Sequence, residues 1–595
     1  MPQITLDGRT IDVAAGKTII EAALEYGLTI PHFCWHPALS VAGNCRMCLV
    51  RVGSQKKDAT GALVYGADGA LDVNWIPKMQ IACATPIADG MVVDTKSDMT
   101  IDSQNNVMEF LLVNHPLDCP ICDEAGECKL QEYAFKNSRG VSRFEEEKVH
   151  KPKRVEFSEN IMFDGERCIM CSRCIRFGEE VAKQPTLTFV QRGDHVTIET
   201  FPGTRFDNPY SMNVIDICPV GALTSIDFRF KARVWEMSFS DSVCPGCARG
   251  CNVSVGVMNN VVLRVDPRTN MHVNTYWMCD YGRLTTPDLV NDNRTSGPLI
   301  KRHGAHETAT WDEAITATAD VLRGLQGSEI AVIGSAYSSN EDNYLLARLA
   351  KQLGAGTVDY IKHIDPTFGD DFLRVSEVTP NAIGAHSVGI KPSDDNHVVA
   401  TLHARIARGD IKAVILLEDS LDTVSAELAA AVETLQNLIV LASHWNHCVT
   451  HASIVLPIAT FAENDGTFTN ITHRVQYFEP AVVTTENERN MGMKLSRWDK
   501  FGQVNDRWMH GERRDCRAAW HIIQAVANML GAGWAYTTSE KVFNDIVAHV
   551  PAFKGMSYDR IVSEQGLVLG KGDQNSPREV VYESHVMKPQ LNIWI

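Results

Sequence analysis

The positions of the cysteines constrain this chain more than any other feature. Of its 17 cysteines, 15 lie from Cys34 to Cys279, and only Cys448 and Cys516 follow. The N-terminus, MPQITLDGRTIDV, shows neither the basic nor the apolar region of a secretory signal. We therefore expect a cytoplasmic chain, in which structural disulfides are rare. Dense cysteines in that compartment indicate metal or redox chemistry, so the pattern predicts a metal-rich first half and a metal-poor second half.

The cysteines fall into four sets of four potential ligands, if one histidine is included. The first set joins a Cys-x10-Cys-x2-Cys run to a distant cysteine, which suits a [2Fe–2S] cluster, and Gly43 and Asn44 would let its loop bend towards the cluster. The second set has three cysteines, so a fourth ligand must come from elsewhere; His115 is the nearest candidate, and an ordinary helix-end histidine is as good an interpretation on local sequence alone. The sets are Cys34, Cys45, Cys48 and Cys83; His115, Cys119, Cys122 and Cys128; Cys168, Cys171, Cys174 and Cys218; and Cys244, Cys247, Cys251 and Cys279.

The third and fourth sets each offer four thiolates, as a [4Fe–4S] cluster requires. The third is the bacterial ferredoxin run, except that Gly178 stands where a second cluster would need a further cysteine, so one cluster is expected there. A close pair such as Cys45-x2-Cys48 also fits zinc, which is the alternative for the first, third and fourth sets. The spacing predicts one [2Fe–2S] cluster and three [4Fe–4S] clusters.

Local patterns divide the chain into domains. Ile4–Leu6, a turn at Asp7-Gly8, a second strand at 11–13 and a helix at 19–26 predict a β-grasp start, with 53–77 as an inserted loop or hairpin. Charged residues 143–154 indicate a solvated linker. Beyond Glu329, strands and helices alternate, which favours a doubly wound, mostly parallel sheet. Ser338 and Glu341 predict the capping box of one of these helices, which would run to Gly354. The predicted domains are 1–98 and 99–142, then 155–228 and 237–293 with the third and fourth sets, and an α/β domain at 294–595.

Charge and motifs exclude several kinds of partner. The net charge of −17 argues against nucleic acid, and no apolar run approaches the roughly 18 residues of a membrane span. The phosphate-cradling patterns G-x-G-x-x-G and G-x-x-x-x-G-K-[ST] are absent from the sequence, so direct binding of NADH or ATP is unsupported. His444, His447 and His451 with Cys448 could bind a metal, although ordinary polar positions beside a strand are the commoner interpretation.

Taken in order, these sets resemble the large iron–sulfur subunit of proton-pumping NADH:quinone oxidoreductase, respiratory complex I. The resemblance rests on the first set, on HPLDCPICDEAGEC at 115–128, on RCIMCSRC at 167–174 and on ICPVGAL at 217–223. The fourth set and VLPIATFAENDGTFTN at 455–470 are similar to the molybdopterin oxidoreductase superfamily. In the family His115 is a cluster ligand, and the insertion before Cys83 makes that residue the least secure ligand of its set.

The resemblance implies a relay of electrons. They would pass from NADH through an FMN-bearing subunit into this chain, along three of its clusters, and on to quinone, while the whole complex translocates protons. The fourth cluster would lie off the path. Implied partners are the FMN/NADH-binding subunit, a small [2Fe–2S] subunit, a two-cluster ferredoxin-like subunit and the quinone-site subunits. The chain would lie peripherally on the cytoplasmic side of the inner membrane and have no substrate site of its own.

Other functions remain possible from sequence. The second hypothesis is the catalytic subunit of a molybdenum-dependent, NAD-linked formate dehydrogenase, and a zinc-bearing scaffold is the third. An iron-only hydrogenase needs further cysteines that the second half lacks. With no cysteine between Cys279 and Cys448, we expect the second half to be a reduced scaffold without molybdopterin, although ligation by Ser or Asp stays open.

Overall fold

The computed structural model describes residues 1–67, 69, 71–391, 398–487 and 511–570. The chain forms two compact units, the first running from Met1 to Trp235 and the second beginning at Glu236. Within the described ranges, no helix combines the length and the apolar character that crossing a membrane requires. The end of the predicted 294–595 domain, after 570, lies outside the described residues.

The first unit begins with a mixed sheet that has one helix packed against it. Neighbouring strands follow the order β2-β1-β6-β3-β4, with β5 paired to β3, and only β1 and β6 are parallel. Apolar side chains of the strands and the helix, such as Ile4, Ile20 and Val93, are buried together. The elements are β1 (Gln3–Leu6), β2 (Arg9–Asp12), α1 (Ile19–Glu25), β3 (Leu49–Gln55), β4 (Val73–Trp75), β5 (Gln80–Ile81) and β6 (Met91–Asp94).

Local chemistry explains how this sheet starts. Asp7 and Gly8 both have positive φ angles, 47° and 80°, as a tight two-residue hairpin requires. Thr18 and Glu21 form a capping box at the start of α1, and Gly27, at φ 72°, follows its end. The predicted hairpin and helix are therefore confirmed. The predicted insertion is largely a hairpin, because β4 pairs with the end of β3.

The rest of the first unit consists of short elements around long loops. The predicted solvated linker is indeed mostly exposed, but it is also anchored, since the Lys148 Nζ donates to the carbonyl oxygens of Leu112 and Val113. The elements are α2 (Asp98–Val113), α3 (Lys129–Asn137), β7 (Val155–Glu156), β8 (Ile161–Phe163), α4 (Arg173–Glu180), β9 (Leu187–Val190), β10 (Thr197–Thr200), α5 (Asn213–Ile217) and β11 (Leu223–Ser225).

The second unit opens with a three-stranded antiparallel sheet followed by a helix. Cys244 and Cys251 lie in the connection between the first two strands, and Cys279 caps the helix. The elements are β12 (Ser238–Val243), β13 (Asn252–Met258), β14 (Val261–Pro267) and α6 (Asp280–Asn291).

A seven-stranded sheet forms the main body of the second unit. Its strand order is β16-β15-β21-β20-β19-β17-β18, and the five strands from β21 to β18 are parallel. The strands are β15 (Leu299–Arg302), β16 (Ala305–Thr308), β17 (Ile330–Gly334), β18 (Thr357–Tyr360), β19 (Ala413–Leu417), β20 (Asn437–Ala442) and β21 (Ile454–Pro457). A smaller antiparallel sheet contains β22 (Gly466–Thr469), β23 (Arg474–Phe478) and β24 (Leu567–Val568).

Helices cover both faces of the large sheet. Alternate side chains of β19 point to opposite faces of the sheet and belong to two separate hydrophobic cores. Ile415 and Leu417 pack with α8 on one face, and Val414 and Leu416 pack with α11 on the other. This arrangement confirms the predicted doubly wound fold. The helices are α7 (Trp311–Arg323), α8 (Asn340–Leu353), α9 (Ala382–Ser387), α10 (Val398–Ala407), α11 (Ala426–Thr434), α12 (His447–His451), α13 (Ala519–Met529), α14 (Ser539–His549) and α15 (Tyr558–Ser563).

One predicted helix start was wrong by a residue. The sequence places the capping box of α8 on Ser338 and Glu341, whereas the structure forms it between Ser339 and Asp342. Glu341 is instead fully buried and accepts hydrogen bonds from Thr467 and Tyr558. Both serines precede acidic positions at the same spacing, so only the tertiary contact of Glu341 distinguishes them.

Candidate metal-cluster sites

The four thiols of the first set lie together at the end of the first sheet. Cys48 immediately precedes β3, Cys83 follows β5, and the loop after α1 carries Cys34 and Cys45, with Gly43 in the left-handed conformation at φ 61°. Hydrogen bonds from the Cys45 and Cys83 thiols lower the pKa of Cys34, and a hydrogen bond with Cys83 lowers that of Cys48. The structure therefore places Cys83 within hydrogen-bonding reach of its set, despite the insertion that precedes it.

The third set lines one enclosed cavity. Cys168, Cys171, Cys174 and Cys218 surround it together with apolar side chains such as Phe163 and Leu223. Burial, and then repulsion from the Cys171 thiolate, raise the pKa of Cys168 to about 12. Two of these cysteines are buried and two are half-buried. Four such thiols repel one another when ionised and need a cation to neutralise them, which is the donor chemistry of an iron–sulfur cluster.

Backbone shape adapts the third set to an anionic centre. Met170 and Ser172, the two neighbours of Cys171, have positive φ angles of 55° and 61°. Non-glycine residues in this conformation are uncommon, and alternating left- and right-handed residues turn successive N–H groups towards one concave side. Such a concavity suits the negative charge of inorganic sulfur. At Gly178, an added Cβ would lie only 3.0 Å from the carbonyl oxygen of Gln184, so a cysteine would not fit there without displacement.

Helix α4 connects the first and third sets. Arg173 is buried and donates to the carbonyl oxygens of Trp35 and Ile217, and Arg176 donates to those of Cys34 and Ser40. Asn44 completes the contact by donating to the Met170 carbonyl over 3.1 Å. Two guanidinium groups thus lie beside residues of both sets. Sequence reasoning missed them, because an arginine inside a ferredoxin run carries no signal of where it points.

The second set is the most exposed. Cys122 is buried and Cys128 is half-buried, and burial raises their pKa values to about 11 and about 12, whereas Cys119 lies at the surface. Desolvation lowers the pKa of His115 to about 4, so its imidazole is neutral, as a metal ligand must be. The His115 Nδ1 is buried and has no hydrogen-bond partner among the described residues. An unsatisfied ring nitrogen fits a coordinating role better than an ordinary surface histidine.

Gly221 belongs to the same site, although the sequence did not single it out. A Cβ at this position would lie 2.2 Å from the Cys122 Sγ and 2.9 Å from the Cβ of Glu124. Only glycine therefore allows the loop after Cys218 to approach the second set. In the sequence, only the position of Gly221 within the segment ICPVGAL could have pointed to this role.

The fourth set is buried in the second unit. All four thiols are shielded from solvent, and burial raises the pKa of each, that of Cys279 to about 11. The Cys244 amide donates to the Cys251 carbonyl over 2.8 Å, which closes the loop between β12 and β13. A Cβ on Gly282 would lie 2.7 Å from the Cys244 Sγ, so glycine is required for α6 to approach this loop.

Five family models match along the chain, in the order of these sites. They are a 2Fe-2S iron-sulfur cluster binding domain (2–98), the NADH-ubiquinone oxidoreductase-G iron-sulfur binding region (104–143), the ferredoxin-like domain of NADH-quinone oxidoreductase subunit 3 (158–224), the molybdopterin oxidoreductase Fe4S4 domain (237–286) and molybdopterin oxidoreductase (381–491). The chain thus contains binding regions of both the 2Fe-2S and the 4Fe-4S type.

Individual relatives agree with these models. NADH-quinone oxidoreductase subunit 3 of Thermus thermophilus is 37% identical over 376 residues, which cover 60% of this chain and 47% of the relative. A second NADH-quinone oxidoreductase relative, from Rickettsia conorii, is 37% identical over 60% of this chain and 50% of its own length. The mitochondrial 78 kDa subunit of NADH-ubiquinone oxidoreductase from Neurospora crassa is 36% identical over 68% of this chain and 53% of its own length.

The chain is similar to the NADH-quinone oxidoreductase subunits named G or 3. It spans about half the length of the curated relatives that it matches. Among solved structures, a NAD+-reducing [NiFe]-hydrogenase in the H2-reduced state is 28% identical and covers 39% of this chain and 91% of its own, and its TM-score of 0.32 is too low to establish a shared fold. The resemblance on which the sequence analysis relied is therefore confirmed.

A cavity of about 310 Å³ lies at the carboxyl ends of the parallel strands in the second unit. That edge is where open α/β sheets bind ligands. Asp342, Glu418 and Asp419 line it, and its described lining contains neither lysine nor arginine. The two carboxylates that follow β19 are paired, Glu418 with Ser443 and Asp419 with His363, whose Nε2 lies 3.0 Å from the Asp419 Oδ2. The cavity is thus acidic, and the carboxylates of Glu418 and Asp419 already have hydrogen-bond partners within the protein.

Proposed function

We propose that this chain is the electron-transfer iron–sulfur subunit of an NADH:quinone oxidoreductase. The observation that carries the proposal is the coincidence of four donor sets with four iron–sulfur family models in the same order. When bound, the clusters would accept and release one electron at a time. The chain itself would hold them, exclude water and fix their mutual positions.

The proposed ligands follow from the four sets. Cys34, Cys45, Cys48 and Cys83 would hold one [2Fe–2S] cluster, and each of the other three sets would hold one [4Fe–4S] cluster, with His115 as the single nitrogen ligand. The contacts between thiols of the first set and the shared cavity of the third support these groupings. The domains predicted at 1–98, 99–142, 155–228 and 237–293 would enclose the four sets in turn, and the α/β domain predicted at 294–595 would hold none.

The proposed position in the complex follows from the family. Electrons would arrive from the FMN-bearing, NADH-binding subunit and leave through the two-cluster ferredoxin-like subunit towards the quinone-site subunits, with the small [2Fe–2S] subunit nearby. The whole complex would couple this transfer to proton translocation. The chain would lie peripherally on the cytoplasmic side of the inner membrane, with no substrate site and no contact with nucleic acid.

We further propose that the second half binds no molybdopterin nucleotide. A pyrophosphate needs cationic or N–H donors, and the cavity at the sheet edge instead presents three carboxylic acids. Its volume of about 310 Å³ also lies at the lower end of the roughly 300–1,000 Å³ typical of sites for one small ligand. These features support a scaffold role for the doubly wound domain.

Elemental analysis of anaerobically purified chain tests the proposal. One two-iron and three four-iron clusters predict about 14 iron atoms per chain. About one molybdenum per chain, together with formate-dependent dye reduction, would instead identify a formate dehydrogenase. Zinc in place of iron would identify a scaffold. Replacing Cys171 with serine should remove about four iron atoms, whereas Cys516→Ser, outside the four sets, should remove none.

A further inference from the structure

Two histidines of the second unit lie side by side on one short helix. His447 and His451 are four residues apart on α12, and one turn of helix brings such positions to the same face. Their ring centroids are 4.7 Å apart. A histidine pair at this spacing is a frequent half of a transition-metal site.

A carboxylate from the neighbouring helix completes the cluster. Glu433, near the end of α11, brings its oxygen to 3.8 Å from the His447 Nε2, and the ligand atoms of all three residues lie within 4.8 Å of one another. Zinc bonds of about 2.1 Å in a tetrahedron place ligand atoms roughly 3.4 Å apart. Small rotations of the exposed Glu433 side chain would close that difference.

The His447 side chain carries an independent sign of a missing ligand. Its Nε2 is buried and has no hydrogen-bond partner in the part of the chain that the structure describes. The contact with Glu433 is too long to be a hydrogen bond. A buried polar atom without a partner costs free energy, and a coordinated cation would satisfy this one. The side chain as a whole is 27% exposed, which leaves a path for an ion to enter.

The other two candidates from the sequence, His444 and Cys448, bond to groups outside this cluster. The Cys448 Sγ points into the core and accepts a hydrogen bond from the Leu421 amide over 3.3 Å. The His444 ring is engaged with Ser443 and with the Leu289 carbonyl. Tertiary structure therefore selects two of the four residues and adds Glu433.

We propose that Glu433, His447 and His451 form a binding site for one divalent transition-metal ion, of which Zn²⁺ is the ion we would test. Two imidazoles and one carboxylate suit such ions, whereas Mg²⁺ and Ca²⁺ prefer oxygen ligands alone. The fourth position is open to water. In metallopeptidases with H-E-x-x-H, the residue after the first histidine is the general base, and here it is the buried Cys448. The ion would therefore join α11 to α12 and not hydrolyse a substrate.

Zinc binding to the full chain with its clusters assembled tests this site. The chain is treated with a mild chelator, its iron content and visible absorbance are recorded, and Zn²⁺ is titrated by calorimetry. We expect one equivalent to bind with iron unchanged, and His447→Ala and His451→Ala each to weaken binding at least about tenfold. Glu433→Gln, which alters only an exposed side chain, should weaken it without affecting folding. His403→Ala, a partly exposed histidine on α10, is the matched control and should bind as the unmodified chain does.

Two results would overturn the proposal. One is the absence of zinc binding by the unmodified chain at a large molar excess of the ion. The other is equal binding by the unmodified chain and by the Glu433, His447 and His451 variants, which would place the zinc on cysteine thiols. Far-ultraviolet circular dichroism of each variant separates a lost site from a lost fold. Because none of these three residues belongs to a cluster set, neither result bears on the electron-transfer function.

Discussion

The Arg176 guanidinium donates a hydrogen bond to the carbonyl oxygen of Cys34, a residue 142 positions earlier in the chain. The same group lies 3.4 Å from the Cys171 carbonyl, so one side chain contacts cysteines of the first and third sets. Helix α4 thereby holds two proposed clusters in one rigid arrangement. Electron transfer depends on such fixed separation.

Arg176→Gln should lower the reduction potentials of both clusters. Removing a positive charge disfavours the more negative, reduced state, and an interaction of about 1 kcal/mol corresponds to roughly 40 mV in a one-electron couple. Redox titration followed by electron paramagnetic resonance measures this shift. Arg176→Lys, which keeps the charge, should restore much of the potential. A shift in neither cluster, with iron content intact, would contradict the electrostatic role.

Gly221→Ala should remove the cluster of the second set. The added methyl group would meet the Cys122 Sγ at 2.2 Å, and the loop cannot retreat without moving Cys218. Iron should fall from about 14 to about 10 atoms per chain or lower. Gly324→Ala is the control, because its nearest contact would be an ordinary 3.6 Å. Unchanged iron and spectra in Gly221→Ala would show that the loop adapts.

Glu463→Gln should destabilise the second unit by about 3–5 kcal/mol. The Glu463 carboxylate is fully buried and pairs with Arg294, itself 3% exposed, and with Arg514. A neutral amide would leave two guanidinium groups without their counter-charge. Hydrogen exchange of the β19 and β20 amides reports the opening free energy. Glu307→Gln breaks an exposed pair with Arg302 and should cost less than about 1 kcal/mol. Equal effects of the two variants would refute the role of burial.

Stability of the second unit should fall as pH rises from about 4.5 to about 7. Burial raises the pKa of Glu341 from 4.5 to about 7. The folded state then retains a proton that the unfolded chain has already released, so the stabilisation is complete below about pH 4.5 and is lost through about pH 7. The full effect is about 3 kcal/mol. Hydrogen exchange measured below about pH 4.5 and above about pH 7, and corrected for intrinsic exchange rates, gives the change in the opening free energy. Glu341→Gln should abolish this component, and Glu307→Gln should leave it in place.

Local patterns predicted the early hairpin, the first helix and the alternating second half, because turn residues, caps and periodicity act within a few residues of the chain. They failed where a distant contact decided between equivalent choices. Ser338 and Ser339 both precede acidic residues, and only the burial of Glu341 against β22 and Tyr558 selects Ser339 as the cap. The late histidines show the same effect, since Glu433 enters their cluster from another helix.

The sequence by itself determined which donors this chain has, and it predicted how they group, because ligand spacing on a loop is set by covalent geometry. Only the tertiary structure decided how the groups meet. It brings Cys83 to Cys34 across the sheet, places Arg173 and Arg176 between two sets, and requires glycine at 221 and 282 beside sulfur atoms. These relations depend on packing between segments far apart in the chain, where close approach and burial carry the free energy and leave no local pattern in the sequence.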